Sequence, residues 1–425
     1  MTTVTARDAA QVAAYFAYVS GKPGPSWQPR VAEFPECFVV WAVPPKPIIG
    51  TGVRTVIDKV TARLTTYPAA TPEEIRQRHQ LKTLQRPPAP ATADSFVALR
   101  RMGRRVATPT TVAHLTFADG VLRRASGAKG DQVVRHHPLV LDWLTDHEPG
   151  DLVRGAYRHA ELIVVSDWLH DMEHEATLTG QPPVDLDQAR AVARGLSSVE
   201  LRYVREEGDP LAGGPAEPCD SCLEAWAHFG IAPASAVRQP DPGLPVMGIP
   251  PELERFPADV AAALAAGGFG QQPMIGDRPV SRAEWAQLSL DVLADDFGHE
   301  PLEAVRAALE AYPYLVVTRR GPGVTHRVRP FELAPDLAGK AGMSLADFAQ
   351  VIGFPLAPLG VEAGGDGILA IDARGMVFVL DQAGEWFAGE NVETALIALI
   401  QGTRLARVRD DGLIEVPEPA GAEDE

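Results

Sequence analysis

The chain has 425 residues, 45% of them apolar, with 38 glycines and 38 prolines, which predicts roughly two to four turn-rich domains with cores of their own. Its formal net charge of −17 excludes a general electrostatic grip on nucleic acid by the chain as a whole. The opening Met1-Thr2-Thr3-Val4-Thr5-Ala6-Arg7-Asp8 holds no apolar leader core, and no run reaches the ~18 apolar residues of a membrane span. Three cysteines without a disulfide pattern fit a reducing cytoplasm. The expectation is a cytoplasmic α+β multidomain protein.

The first segment spans residues 1–88. Thr5 is placed to cap a helix carrying Val12, Tyr15, Phe16 and Val19, and residues 21–29 read as loop. Residues 38–43, 53–58 and 62–67 read as strands, with Cys37 a buried thiol beside the first. Thr71-Pro72-Glu73-Glu74 spells a capping box with proline at the first helical position, opening a helix to about residue 84. The hairpin Val56-Ile57-Asp58-Lys59-Val60-Thr61-Ala62 resembles that of the YrhB-type small immunity proteins, without the glycine usual after the threonine. The resemblance implies a small immunity-like α+β module, and no residues here suggest chemistry.

Pro87-Pro88-Ala89-Pro90 opens a linker, and a central segment follows over 95–240. Arg100, Arg101, Arg104, Arg105, Arg123, Arg124, Lys129 and Arg135 form a basic cluster, read either as a solvated face or as a surface for phosphates. Residues 112–117 and 121–125 form a predicted hairpin, and His137-Pro138 opens a short helix. His114, His136 and His137 read as surface or capping histidines. A second helix starts at His159-Ala160-Glu161 with Leu162, Val165, Leu169 and Met172 in helical spacing. Residues 177–195 look like an insertion with its own helix at 187–194. Val199, Leu201 and Tyr203 alternate as in a half-buried strand. Pro218-Cys219-Asp220-Ser221-Cys222 then starts a helix with Leu223, Trp226 and Phe229 inward, closed by Gly230.

A lone C-x-x-C also fits a redox dithiol or a structural metal knuckle. Paired with an upstream H-x-E on a separate helix, it matches the signature of zinc-dependent nucleobase deaminases. One imidazole and two thiolates leave the fourth position of a tetrahedral zinc open to water, whose pKa the metal lowers towards neutrality. His159, Cys219 and Cys222 are the candidate ligands, and Glu161 is the candidate proton shuttle. His170 and His174 are four apart but lack the acid of an H-E-x-x-H, so no second metal is expected. The order hairpin, H-A-E helix, strand, P-C-x-x-C helix, with Glu161-Leu162-Ile163-Val164-Val165-Ser166-Asp167 and Phe229-Gly230-Ile231, resembles the YwqJ-like branch of the deaminase superfamily. The resemblance implies a mixed sheet with both zinc helices on one face. The chain leaves this segment soon after Ile231, so later strands of larger deaminases are expected to be missing.

The last segment spans 245–412, ahead of an acidic tail at 413–425. Val280-Ser281-Arg282-Ala283-Glu284 spells another capping box, followed by helices presenting Trp285, Leu288 and Val292, then Val305, Ala308 and Leu309. Strands are predicted over 314–318, 326–331, 368–371 and 376–380, the last pair joined at Asp372-Ala373-Arg374-Gly375. Ser344 is expected to cap a helix, and Val392, Ala395, Leu396, Leu399 and Ile400 form one apolar stripe. Arg255-Phe256-Pro257, Gly321-Pro322-Gly323, Pro358-Leu359-Gly360, Ile371-Asp372-Ala373-Arg374-Gly375, Trp386 and Gly389 resemble the third subfamily of the SUKH superfamily, with Tyr312-Pro313-Tyr314-Leu315 replacing its usual Phe-Gly-Gly-Leu. That implies a binding module of immunity proteins, which neutralises a toxin by contact.

Two functions follow as expectations. The first is zinc-dependent hydrolytic deamination of a nucleobase, in a nucleotide or nucleic acid, within a bacterial toxin–immunity system. The second is a non-catalytic immunity protein that binds a toxin through its SUKH and deaminase-like folds. Glu161 favours the first, because a decoy has no use for it.

Overall fold

The computed structural model describes residues 3–20, 27–46, 53–85, 91–97, 99, 110–118, 120–206, 208–241 and 248–415. The arginines at 100–105 and the acidic residues at 416–425 lie outside that set. The chain forms two compact units. The first takes Met1–Ala128, Gln132–Asp146 and Tyr157–Val237; the second takes Lys129–Asp131, His147–Ala156 and Arg238–Glu425. No helix among the described residues is long and apolar enough to cross a membrane.

The first unit begins with α1 (Ala6–Ser20), β1 (Gln28–Glu33), β2 (Cys37–Val43), β3 (Val53–Asp58), β4 (Leu64–Pro68) and α2 (Pro72–Gln85). The four strands pair antiparallel in sequence order. Period-two alternation divides β2 between two cores. Phe38 and Val40 meet Val12, Ala13 and Phe16 of α1, while Cys37 and Val39 meet Val56 and Ile75 on the other face. Thr5 caps α1 as expected, with Asp8 completing a reciprocal box, and the predicted Thr71–Glu74 capping box forms. Asp8 N donates to Thr5 Oγ1 at 3.2 Å and Thr5 N to Asp8 Oδ2 at 2.8 Å; Thr71 N donates to Glu74 Oε2 at 3.0 Å and Glu74 N to Thr71 Oγ1 at 3.3 Å. Burial, then the neighbouring Glu36, pushes the Cys37 thiol up to about 11. One expectation fails: Gln28 and Pro29 are strand, not loop. β1 is an almost wholly exposed edge, so it carries no apolar alternation, and an edge is where a strand tolerates proline.

The same unit continues with β5 (Thr110–Phe117), β6 (Leu122–Ser126), α3 (Pro138–Thr145), α4 (Ala160–Leu178), α5 (Leu186–Ala193), β7 (Leu196–Val204) and α6 (Asp220–His228). Its sheet has the order β6-β5-β7, with both neighbours antiparallel to β5. The helix α4 packs on β5 and β6 and against α6. Its first half is buried all round, from Ala160 to Ser166 and again at Trp168 and Leu169, so the apolar run there is continuous rather than one stripe. The inserted helix α5 is closed by an Asp185–Gln188 capping box. Arg190 Nε donates to His228 O at 2.8 Å, which fastens the insertion to the end of α6.

The second unit holds α7 (Ala258–Ala266), the small hairpin β8 (Met274–Ile275) and β9 (Arg278–Pro279), α8 (Arg282–Asp295), α9 (Glu303–Ala311), β10 (Val316–Val317), β11 (Phe331–Glu332), α10 (Gly342–Ile352), β12 (Leu356–Glu362), β13 (Gly367–Asp372), β14 (Val377–Asp381), β15 (Gly384–Gly389), α11 (Val392–Gln401) and β16 (Ala406–Arg407). Strands β10 to β16 form one antiparallel sheet in sequence order. One core lies between that sheet and α7, α8, α9 and α11; another, with Leu345 and Phe348 of α10, lies against Phe378 and Leu380. Strands covered on both faces read as unbroken apolar runs, as at β14. Two expectations are corrected. The helix α10 starts at Gly342, so Ser344 sits buried inside it rather than capping it. The helix α8 buries Ala286, Leu290 and Leu293 and leaves Leu288 and Val292 exposed.

Strand β12 escaped the sequence reading because Pro358 and Gly360 look like turn residues. Its ladder with β13 shifts register between them. A Cβ on Gly360 would stand 2.0 Å from Glu332 O on the adjoining strand. Gly360→Ala is therefore expected to destabilise the second unit by roughly 1–3 kcal/mol, the usual range for overpacking, read as a lower urea midpoint. An unchanged midpoint would contradict the close approach.

Candidate metal centre

The two short stretches singled out in the sequence meet at the starts of two helices. His159 is the N-cap residue of α4 and Cys219 that of α6, both with extended backbone. The helix α6 begins at Asp220, so Pro218 precedes the cap instead of filling the first turn. Neither cap residue bonds its own helix through its side chain; imidazole and thiol turn toward each other. His159 Nδ1 lies 3.5 Å from Cys219 Sγ and 3.4 Å from Cys222 Sγ. The three donor atoms fall within 4.8 Å of one another, and no second such cluster occurs among the described residues. His159 and Cys222 are 1% and 0% exposed. The carboxyl group of Glu161, also fully buried, sits in the second position of α4 and close enough to Cys222 to affect its ionisation.

The donor set fits zinc. Bond lengths of about 2.0–2.1 Å to nitrogen and 2.3 Å to sulfur at a tetrahedral angle hold nitrogen and sulfur roughly 3.6 Å apart, close to the separations here. Electrostatics agree. Burial first, then Cys219, then Glu161 drive the Cys222 thiol well above its ordinary pKa. Two sulfurs and a carboxylate crowded out of water disfavour further negative charge, and a divalent cation reverses that balance. The positive ends of two helices act in the same direction.

Around the centre, Ser166 of α4 donates its position to a buried polar knot: Thr92 Oγ1 donates to Ser166 Oγ at 2.9 Å, and His137 N does so at 2.8 Å. His137 caps α3, its Nδ1 accepting from Leu139 N. His136 is buried rather than on the surface and donates Nε2–H to Tyr157 O. Burial lowers the pKa of His114, His136 and His137 to about 4 each. Three described members of the basic cluster are engaged: Arg123 pairs with Asp171 at 2.6 Å, Arg124 stacks over Phe16 and Lys129 faces Glu385. Sequence reasoning missed Arg158, which is buried beside His159 and donates Nε to Ala128 O at 2.8 Å and Nη1 to Gln132 O at 3.0 Å. Its only signal is its place next to the histidine.

Three family models match this chain. Residues 73–231 match the YwqJ-like deaminase, so the buried His159–Cys219–Cys222 cluster lies in a YwqJ-like deaminase domain. Residues 256–402 match the SUKH-3 immunity protein, and residues 8–85 match the Immunity protein 35-like domain. No curated protein and no solved structure matches it. The immunity-type expectation for both flanking segments thus holds, and the α+β class with it.

Zinc is expected to bind at one per chain and to release protons on binding, since thiols must ionise to ligate. Cys219→Ser should abolish the site, as read by metal analysis after gel filtration; unchanged zinc in that variant would remove the claim. A separate pH effect follows from His136. Its folded pKa of about 4 lies below the ordinary 6.5, so the unfolded chain binds more protons between those values and stability falls as pH drops through that window. His136→Gln should flatten the decline of the urea midpoint from pH 6.5 to 4; an equally steep decline would assign the effect elsewhere.

Proposed function

We propose that this chain is a zinc-dependent hydrolytic deaminase acting on a nucleobase, in a nucleotide or nucleic acid, and that it works in a bacterial toxin–immunity system in the cytoplasm. The observation that carries the reading is the convergence of one ring nitrogen and two sulfurs at zinc-compatible distances, with Glu161 alongside. The three-part division at 1–88, 95–240 and 245–412 belongs to the same proposal.

His159, Cys219 and Cys222 would hold the metal. Bound zinc supplies a water acidified towards neutral pH and so able to attack an amidine-like ring carbon. Glu161 then has the work of a proton shuttle. Its carboxylate would take the first proton of the attacking water and deliver it to the ring nitrogen, then take the second from the hydroxyl left on the ring carbon and deliver it to the departing amine. A C–O bond forms, a C–N bond breaks and ammonia leaves. Full burial of Glu161 keeps bulk water from competing for that proton. Glu161 stands outside the three-donor cluster, which leaves it free to serve the reaction.

A second reading has its own support. Two of the three family matches are immunity types, and the described sheet beside the centre has three strands. On that reading the chain binds a protein toxin through its SUKH-type unit and keeps the deaminase fold as a contact surface.

A screen of bases, nucleotides and single strands for ammonia release separates the two. Glu161→Ala is expected to retain zinc while losing ammonia release by at least two orders of magnitude, the usual weight of general acid–base catalysis. A wild-type chain that binds zinc and is silent across the whole screen would favour the toxin-binding reading.

A further inference from the structure

Two pieces of the central sequence, Lys129–Asp131 and His147–Ala156, fold with the second unit. They are built into it. Arg154, almost wholly buried, donates Nη2 to Glu362 Oε2 and to Asp381 Oδ2, both at 2.8 Å, Nε to Asp381 Oδ2 at 3.3 Å and Nη1 to Glu362 Oε1 at 3.4 Å. Arg329 adds a 3.1 Å bond to Glu362 Oε2, and the other oxygen of Asp381 accepts from Ala383 N, Gly384 N and Trp386 Nε1. Lys129 Nζ lies 3.6 Å from Glu385 Oε1, both groups buried. The backbone joins in: Gly323 N donates to Gly150 O, Arg327 N to Leu152 O and Arg327 Nε to Asp151 O. Gly155 has φ +65°, and a Cβ there would stand 2.7 Å from Ala383 Cβ and 2.8 Å from the Trp386 ring.

The ends of these pieces are tied together inside the first unit. Ala128 and Gln132 bracket the first piece. Arg158 follows the second by two residues, and its guanidinium holds the carbonyls of both Ala128 and Gln132, while Ala128 N donates back to Arg158 O at 2.8 Å. The next residue is His159.

We propose that Arg154 and Lys129 are positioning residues for the metal centre, and that the buried carboxylates Glu362, Asp381 and Glu385 of the SUKH-3-type unit act through them as an internal scaffold. The inference rests on reading His159, Cys219 and Cys222 as a metal site and adds regulation of that site. Anchoring the chain on both sides of Arg158 removes backbone freedom just before His159, so the imidazole is presented in place and metal binding carries less ordering cost. Linkage makes the coupling reciprocal: metal tightens the clasp, and anything that opens the clasp weakens metal binding.

The test uses the full chain. Arg154→Met combined with Glu362→Gln and Asp381→Asn removes the clasp without stranding a buried charge. Val305→Ala, in the core of the same unit, lowers stability without touching either piece. Amide exchange over residues 157–165 is measured on metal-free protein, and cobalt(II) affinity by chelator competition together with the cobalt absorption spectrum. The triple variant is expected to lose at least tenfold in exchange protection and in cobalt affinity, with an altered spectrum, while Val305→Ala keeps all three. Wild-type protection and affinity in the triple variant, or equal losses in Val305→Ala, would overturn the proposal. A triple variant that does not fold is replaced by Lys129→Met with Glu385→Gln, judged by the same criteria. A wild-type chain that takes up no cobalt would sink the metal reading, and the exchange measurement on metal-free protein would then decide the clasp by itself.

Discussion

The constraint on which this chain depends is that three metal-type donors from two helix starts share one buried point. Such a cluster is costly without a cation: the Cys222 thiol resists ionisation, and an imidazole and a carboxyl group are denied water. The fold meets that cost with position. Two of the three donor residues, His159 and Cys219, occupy N-caps and Cys222 lies in the first turn behind one of them, where helix geometry leaves amide hydrogens pointing outward and favours negative charge. A continuous apolar run along α4 and the inward face of α6 fix the two helix axes, so the site is held by packing before any metal arrives.

Much of this was legible in the sequence because it is local. The Thr71–Glu74 capping box needs only four residues and forms as read, and Thr5 caps α1 as read. The spacing of His159 to Glu161 and of Cys219 to Cys222 is likewise local, and two helix starts sufficed to bring the pairs together. Strands β1 and β12 were not legible, for opposite reasons. The first is an exposed edge with nothing apolar to alternate, and the second hides its alternation behind a proline and a close-contact glycine. The outward face of α8 shows the limit of periodicity: Leu288 and Val292 share a helical spacing, yet Ala286, Leu290 and Leu293 are the residues that turn in.

What could not be read at all is the ion network around Arg154. Its partners lie 208 and 227 positions away, and neither Glu362 nor Asp381 stands in a recognisable motif. A buried arginine between two carboxylates is weak evidence for stability, because desolvation offsets much of the attraction. Its value lies in specificity. A guanidinium that meets two carboxylates with a fixed fork tolerates one placement of its backbone, and that placement sets where the chain goes next.

The deaminase-type and immunity-type matches therefore need not describe independent modules strung along a chain. The segment that precedes His159 by a few residues completes the second unit's buried charge network, and Arg158 anchors the return of the chain beside the metal ligand. Deleting the SUKH-type residues would expose Arg154 and Lys129 to water and free the backbone they hold; deleting the central segment would strand Glu362, Asp381 and Glu385 in an apolar sheet with fewer cations. Each part carries buried charges that the other's sequence helps to neutralise, Glu362 sharing its carboxylate between Arg154 and Arg329. On the coupling proposed above, a change at Glu362, Asp381 or Glu385 would reach the His159–Cys219–Cys222 cluster through where buried charges find partners rather than through a dedicated switch.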